Sequence, residues 1–143
     1  GEMTAKGVNP KGLPWHIGIN KPVDDSTQTN NEIQQIIELS DRRGIATSGD
    51  YRNYYVRDGR QYAHTINPKT GYPAAADILS ATIMARDCIV ADAYATSCMA
   101  LGREEAKKLL ARHPELEYYF IYADSTGTFR TEYSPGMEKY LVK

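Results

Sequence analysis

Asp92 and Thr96 lie four residues apart in the run Asp-Cys-Ile-Val-Ala-Asp-Ala-Tyr-Ala-Thr-Ser-Cys-Met-Ala-Leu-Gly at 87–102. On a helix that spacing stacks the two side chains on one side, a turn apart. A carboxylate oxygen and a hydroxyl so placed, with backbone carbonyls nearby, suit a hard cation such as Mg²⁺. The spacing equally fits a structural pair, with Asp92 bonded to a neighbouring amide and Thr96 bonded back to the Asp92 carbonyl. Asp-x-x-x-Thr is too short a motif to decide between them.

Two further clusters carry polar groups that packing alone does not require. His64 falls where a strand, Gln61 to Thr65, runs into the turn Asn67-Pro68-Lys69-Thr70-Gly71. Side chains at such junctions reach clefts, and the near-neutral pKa of imidazole suits it to general acid–base work. A histidine satisfied by its own strand fits the same pattern. In Ala46, Thr47, Ser48, Gly49 and Asp50, small hydroxyl residues beside a glycine let the backbone approach a phosphate or nucleobase closely. A plain strand-to-turn transition would also produce that composition. His16, in an early strand, and His113, at a helix C-terminus where a cation is favoured, have structural readings only.

Residues 87–102 read as one helix, with Asp87 as an N-cap that accepts from the first-turn amides and Gly102 as the stop. Ile89, Val90, Ala91, Ala93, Ala95, Met99, Ala100 and Leu101 make it apolar on nearly every side, and such a helix is expected to be buried. Asp92 is then a buried carboxylate, costly without a positive partner. No Lys or Arg lies between the two caps, so the partner comes from elsewhere in the chain or is a metal ion. Residues 103–113 form a second, amphipathic helix ended by Pro114, with Ala106, Leu109 and Leu110 inward.

Short strands are expected at 15–19, 45–48, 54–56, 61–65, 78–85, 118–122 and 128–133, with a last one within 137–142. Asp58-Gly59 and 125–127 mark hairpin turns. Residues 33–39 fit either a strand or a short helix. Residues 1–14 are rich in Gly and Pro, and 24–32, polar, read as a loop. The pattern is α+β: antiparallel hairpins flanking a buried helix and a second amphipathic helix, in one domain over 1–143.

The chain has 143 residues and a net charge of −1, enough length for a core and no electrostatic case for nucleic acid or an anionic membrane. Its 11 Tyr against 2 Phe suit half-exposed strand positions or a pocket apolar in body and polar at the tip. Cys88 and Cys98, on one helix and too far apart to bridge, read as small core residues.

Taken together, Gly1-Glu2, Trp15 to Pro22, Ala46 to Tyr51, His64 to Pro73 and Ala91 to Thr96 resemble the ApbE family, the FAD:protein FMN transferases. Asn67 stands where the family pattern has Asp, and the match covers only the second half of a family member. The resemblance implies Mg²⁺-dependent transfer of FMN from FAD to a threonine of an acceptor flavoprotein, releasing AMP. It implies Asp92 and Thr96 as side-chain metal ligands, with the Ala95 carbonyl and a carbonyl near the chain start, Ala5, beside them. It implies His64 as base or positioner of the attacking hydroxyl, and Thr47, Ser48, Gly49 and Asp50 near the nucleotide. A protein of the bacterial periplasm or the outer face of the membrane, lipid-anchored, is implied too. Two other readings stay open: a metal-dependent FAD pyrophosphatase giving FMN and AMP, and a folded half-domain without activity of its own. A sheet edge left exposed makes a homodimer an expectation.

Overall fold

The computed structural model describes residues 1–21, 33–49, 54–57, 60–66, 68–71, 73–75, 77–124, 126 and 128–143. Its strands are β1 Glu2–Ala5, β2 Trp15–Asn20, β3 Ile33–Leu39, β4 Arg43–Gly49, β5 Tyr54–Arg57, β6 Arg60–Ile66, β7 Pro73–Ala75, β8 Ile78–Ala85, β9 Glu117–Ala123 and β10 Phe129–Tyr133. The helices are α1 Cys88–Leu101 and α2 Arg103–Ala111, and a 3₁₀ helix spans Pro135–Tyr140. The expected α+β class holds. The expected loop at 24–32, the Asp58-Gly59 turn, Asn67, Ser125 and Gly127 lie at least partly outside the described residues.

Five strands form one antiparallel sheet in the order β1-β4-β8-β9-β10. Strand β8 lies at its centre, and all eight of its residues are buried, as a strand covered on both faces must be. On one face Ala46, Ala81, Ile83 and Phe120 pack against Ala91, Ala95, Cys98 and Met99 of α1. On the other, Ile45, Met84 and Ile121 meet Ile19, Ile37 and Leu39 of the β2–β3 pair and Met137 of the 3₁₀ helix. The period-two alternation of β4 and β8 divides their side chains between these two cores. A third sheet, β5-β6-β7, rests its β6 and β7 against α1.

Helix α1 ends where the sequence expects, but it is not buried all round. Ala91, Ala95, Cys98 and Met99 form its buried stripe, at the i, i+4, i+7, i+8 spacing of one helix face. Ile89 is 77% exposed, and Asp92 is exposed as well. Apolar composition hid this amphipathic placement, because alanine serves on either side of a helix. Asp87 occupies the N-cap without a side-chain capping bond; its carboxylate instead takes Arg42 Nη1 at 3.2 Å. Gly102 ends the helix with φ +83°, and its N–H donates to the Cys98 carbonyl. The next amide, Arg103 N–H, donates to Asp77 Oδ2 at 3.0 Å, so Asp77 holds the start of α2. Cys88 is half-buried rather than core, whereas burial pushes the Cys98 thiol up to about 12 and leaves it inert.

Two local readings are resolved or corrected, and one strand is added. Residues 33–39 are a strand, paired with β2 from Trp15↔Leu39 onward. The Gly- and Pro-rich start contains β1, whose partner β4 lies some forty residues on. The tail folds as a 3₁₀ helix led by Pro135 instead of a strand, and Leu141 alone bridges to Ile37.

Strand β10 is tied to α2 by Glu132, which takes Arg103 Nη1 at 3.0 Å and Lys107 Nζ at 2.7 Å. Partial burial pushes the Glu132 carboxyl up, and the two cations outweigh it, so its pKa lies below the ordinary value. A depressed carboxyl contributes stability above its unfolded pKa and loses it as pH falls through the folded value. Glu132→Gln is therefore expected to cost about 1 kcal/mol at neutral pH. The difference from wild type should shrink as pH falls through the depressed folded pKa of Glu132, as thermal melts across pH 3–7 would register.

Candidate functional site

The C-terminal end of β4 is where the separate motifs meet. Strand β4 and helix α1 run alongside each other from a shared close contact. A Cβ placed on Gly44 would lie 2.2 Å from the Cys88 backbone nitrogen. From that contact both elements advance to the same end, where Ser48 Oγ lies 3.3 Å from Thr96 Oγ1. Ala95 is fully buried beneath. Asp92 stands one turn back along α1, about 6 Å in axial rise from Thr96. No described side chain forms an ion pair or hydrogen bond with it.

Ser48 and Thr96 border a cleft of about 530 Å³ lined by Gly1–Met3, by 17–20 on β2, and by Ile45, Thr47, Ser48, Gly49, Ser80, Thr96 and Met99. Its volume is that of a small-molecule site. Glu2 is the one charged side chain among the described lining residues, so an anionic ligand finds no Lys or Arg there. Four hydroxyls line it instead. Thr47 Oγ1 is committed to Thr82 Oγ1 at 2.8 Å, Ser48 and Thr96 face each other, and Ser80 lies at the floor. Thr47 and Ser80 stand on the sheet face toward β2 and Ser48 on the face toward Thr96 of α1, because side chains alternate along β4 and β8, which pair as Thr47↔Thr82 and Gly49↔Ser80.

Of the sequence candidates, the structure brings Thr47, Ser48, Gly49 and Thr96 to the cleft and sets Asp92 and Ala95 on the adjoining turn. Ala5 is not brought there. It pairs with Arg43, five register positions from Ser48, or roughly 16 Å at strand rise. It lines a separate groove with Trp15 and His16. Asp50 and the His64 side chain lie outside the described residues; the His64 backbone belongs to β6, which packs on α1. Among the described residues no three His, Cys, Asp or Glu side chains gather as a metal cluster. The donor set at Asp92 and Thr96 still fits Mg²⁺. An exposed carboxylate without a protein cation and a hydroxyl one turn on leave most of the coordination sphere to water and phosphate, as Mg²⁺ prefers. His16 and His113 have the structural roles expected of them: His16 Nε2 meets Glu38 Oε2 at 2.9 Å, and His113 Nε2 meets the Tyr94 hydroxyl at 3.1 Å.

Sequence reasoning passed over Ser80 and Thr82, both buried. Their signal was present: two hydroxyl residues at i and i+2 in the otherwise apolar Ile-Leu-Ser-Ala-Thr-Ile-Met-Ala, hence on one face.

Residues 1–120 match the model of the family described as ApbE. The chain is 38% identical over 142 residues to the FAD:protein FMN transferase of Escherichia coli (strain K12), covering 99% of this chain and 38% of that protein. It is 45% identical over 143 residues to the FAD:protein FMN transferase of Vibrio cholerae serotype O1, covering 100% of this chain and 41% of that one. Among solved structures it is similar to the flavin transferase ApbE from Vibrio cholerae, with TM-score 0.79 and 35% identity over 99% of this chain and 42% of that one. The apo form of the Pseudomonas stutzeri flavinyl transferase ApbE gives TM-score 0.78 and 35% identity over 98% and 41%. The chain thus spans about two-fifths of the length of these relatives.

Proposed function

The chain belongs to the ApbE family, and from that membership we propose that its cleft serves Mg²⁺-dependent transfer of FMN from FAD to a threonine of an acceptor flavoprotein. The observation that carries this reading is the 3.3 Å contact of Ser48 Oγ with Thr96 Oγ1. It joins the stretch expected near the nucleotide to the stretch expected at the metal, at the rim of one cleft. The want of Lys or Arg among the described lining residues is the second support. A pyrophosphate entering there meets no described Lys or Arg, and a bound cation would offset its charge.

In this reading Asp92 and Thr96, with the Ala95 carbonyl, hold Mg²⁺, which when bound neutralises and clamps phosphate oxygens. Ser48 and the Gly49 backbone lie against the nucleotide, with Thr47 fixing the strand through Thr82. His64 takes the proton of the acceptor threonine as its oxygen forms the new bond to the FMN phosphorus, and the bond from that phosphorus to the AMP oxygen breaks. Positioning and charge stabilisation carry most of such a reaction, and a base of near-neutral pKa adds about a hundred- to ten-thousand-fold.

The test is incubation of the protein at its natural length with FAD, Mg²⁺ and a peptide bearing the target threonine. The expected result is AMP together with a peptide heavier by one FMN moiety. Free FMN with unlabelled peptide would replace transfer by hydrolysis, with water as the nucleophile at the same groups. Unconsumed FAD would reject both.

A further inference from the structure

Ser80 is 1% exposed, and its hydroxyl has no hydrogen-bond partner among the described residues. Buried hydroxyls are nearly always bonded, and one left unmet costs free energy. Yet Ser80 does not sit in sealed core; it lines the floor of the cleft. Across the β4–β8 ladder its register partner is Gly49, which presents no side chain. The neighbouring hydroxyl on its own face, Thr82, is already spent on Thr47. A small residue opposite a glycine therefore leaves a recess with a single uncommitted hydroxyl in it.

We propose that Ser80 is a ligand-binding residue whose hydroxyl hydrogen-bonds the polar edge of a heteroaromatic ring of the dinucleotide. This rests on the reading of the cleft as an FAD site. The surroundings choose the ring over the phosphates. Ser80 faces β2, and the lining from that side is Ile17, Gly18, Ile19 and Asn20 of β2 with Ile45 beside Thr47, without a charged side chain and mostly apolar. An anion there would be desolvated without compensation. A flat ring buries its faces against such side chains and presents nitrogens and carbonyls at its edge, and a serine hydroxyl can donate to or accept from either. Phosphates are left to the α1 side, with Thr96 and Asp92.

Flavin and adenine both offer this edge, and the test separates them. Affinities for FAD, FMN and AMP, each with Mg²⁺, are measured by calorimetry for wild type and Ser80→Ala, beside the Tm of each unliganded protein. Ser80→Ala should keep or raise the unliganded Tm, because it removes an unmet polar group. It should weaken FAD binding by roughly three- to tenfold, with the same loss for only one of FMN and AMP, which identifies the ring. Equal loss for FMN and AMP would assign the hydroxyl to a phosphate and overturn the proposal. So would a lowered unliganded Tm, which means a structural partner, or unchanged affinities in a protein that binds FAD. A wild-type protein that binds none of the three overturns the FAD reading itself, and this proposal with it.

Discussion

Asp92→Asn is expected to lower Mg²⁺-dependent turnover of FAD by at least about a hundredfold, the scale on which losing a group that stabilises transition-state charge is felt. Asparagine keeps the shape and one acceptor oxygen of the side chain and removes its charge. In the proposed reading, with no Lys or Arg among the described lining residues, that charge would hold the metal. The same substitution should leave the Tm nearly unchanged. Asp92 is exposed and bonded to no described side chain, and surface changes away from such contacts usually fall within about 0.5 kcal/mol. The pairing of large kinetic loss with intact stability is what separates a metal ligand from a structural aspartate. Rates measured over a Mg²⁺ titration read it directly. Wild-type activity at ordinary Mg²⁺ would remove Asp92 from the metal site.

Gly44→Ala should be the most destabilising single-methyl change in the described structure. The added carbon would lie 2.2 Å from Cys88 N, 2.3 Å from the Asp87 carbonyl carbon and 2.6 Å from Cys88 Cα. All three are backbone atoms, so no rotamer change relieves them, and α1 must lift off β4. Overpacking of that kind costs about 3 kcal/mol or more, roughly a 10 °C loss in Tm for a chain of this size. Because Thr96 rides on the same helix, the displaced helix also pulls Thr96 from Ser48, and FAD affinity should fall with the Tm. A variant that melts within about 2 °C of wild type would show that the helix rests farther from the strand.

Much of this was legible in the sequence wherever the signal was local. The bounds of α1 follow from Asp87 and Gly102, β8 from its β-branched residues at several positions, and the β9–β10 hairpin from its turn. What was hidden depends on partners distant in the chain. Strand β1 is four residues in a Gly-rich start, and only pairing with β4 makes it a strand. The 3₁₀ helix at the tail takes its place from Met137 packing under β2–β3, which no short window contains. The burial of α1 was misjudged because alanine does not declare a side. The same division governs the site. Asp92 and Thr96 could be paired by helical spacing, and Ser48 and Gly49 recognised as a segment fit for a close approach. That Ser48 would touch Thr96, that Ala5 would sit at the far end of its strand, and that Ser80 would floor the cleft are matters of register.

The walls of the cleft come from residues 1–3, 17–20, 45–49, 80 and 96–99, so it closes only when segments separated by tens of residues have met. Loop closure of that kind is entropically opposed until the contacts that reward it exist, and it slows folding. The neighbouring α1–α2 and β9–β10 pairs are local in the chain and can form early. If closing those segments limits the rate, their contacts are already made at the barrier, so changes that loosen the strands walling the cleft are expected to slow folding. The cleft is thus the part of this protein whose sequence bears most on the speed of its own assembly.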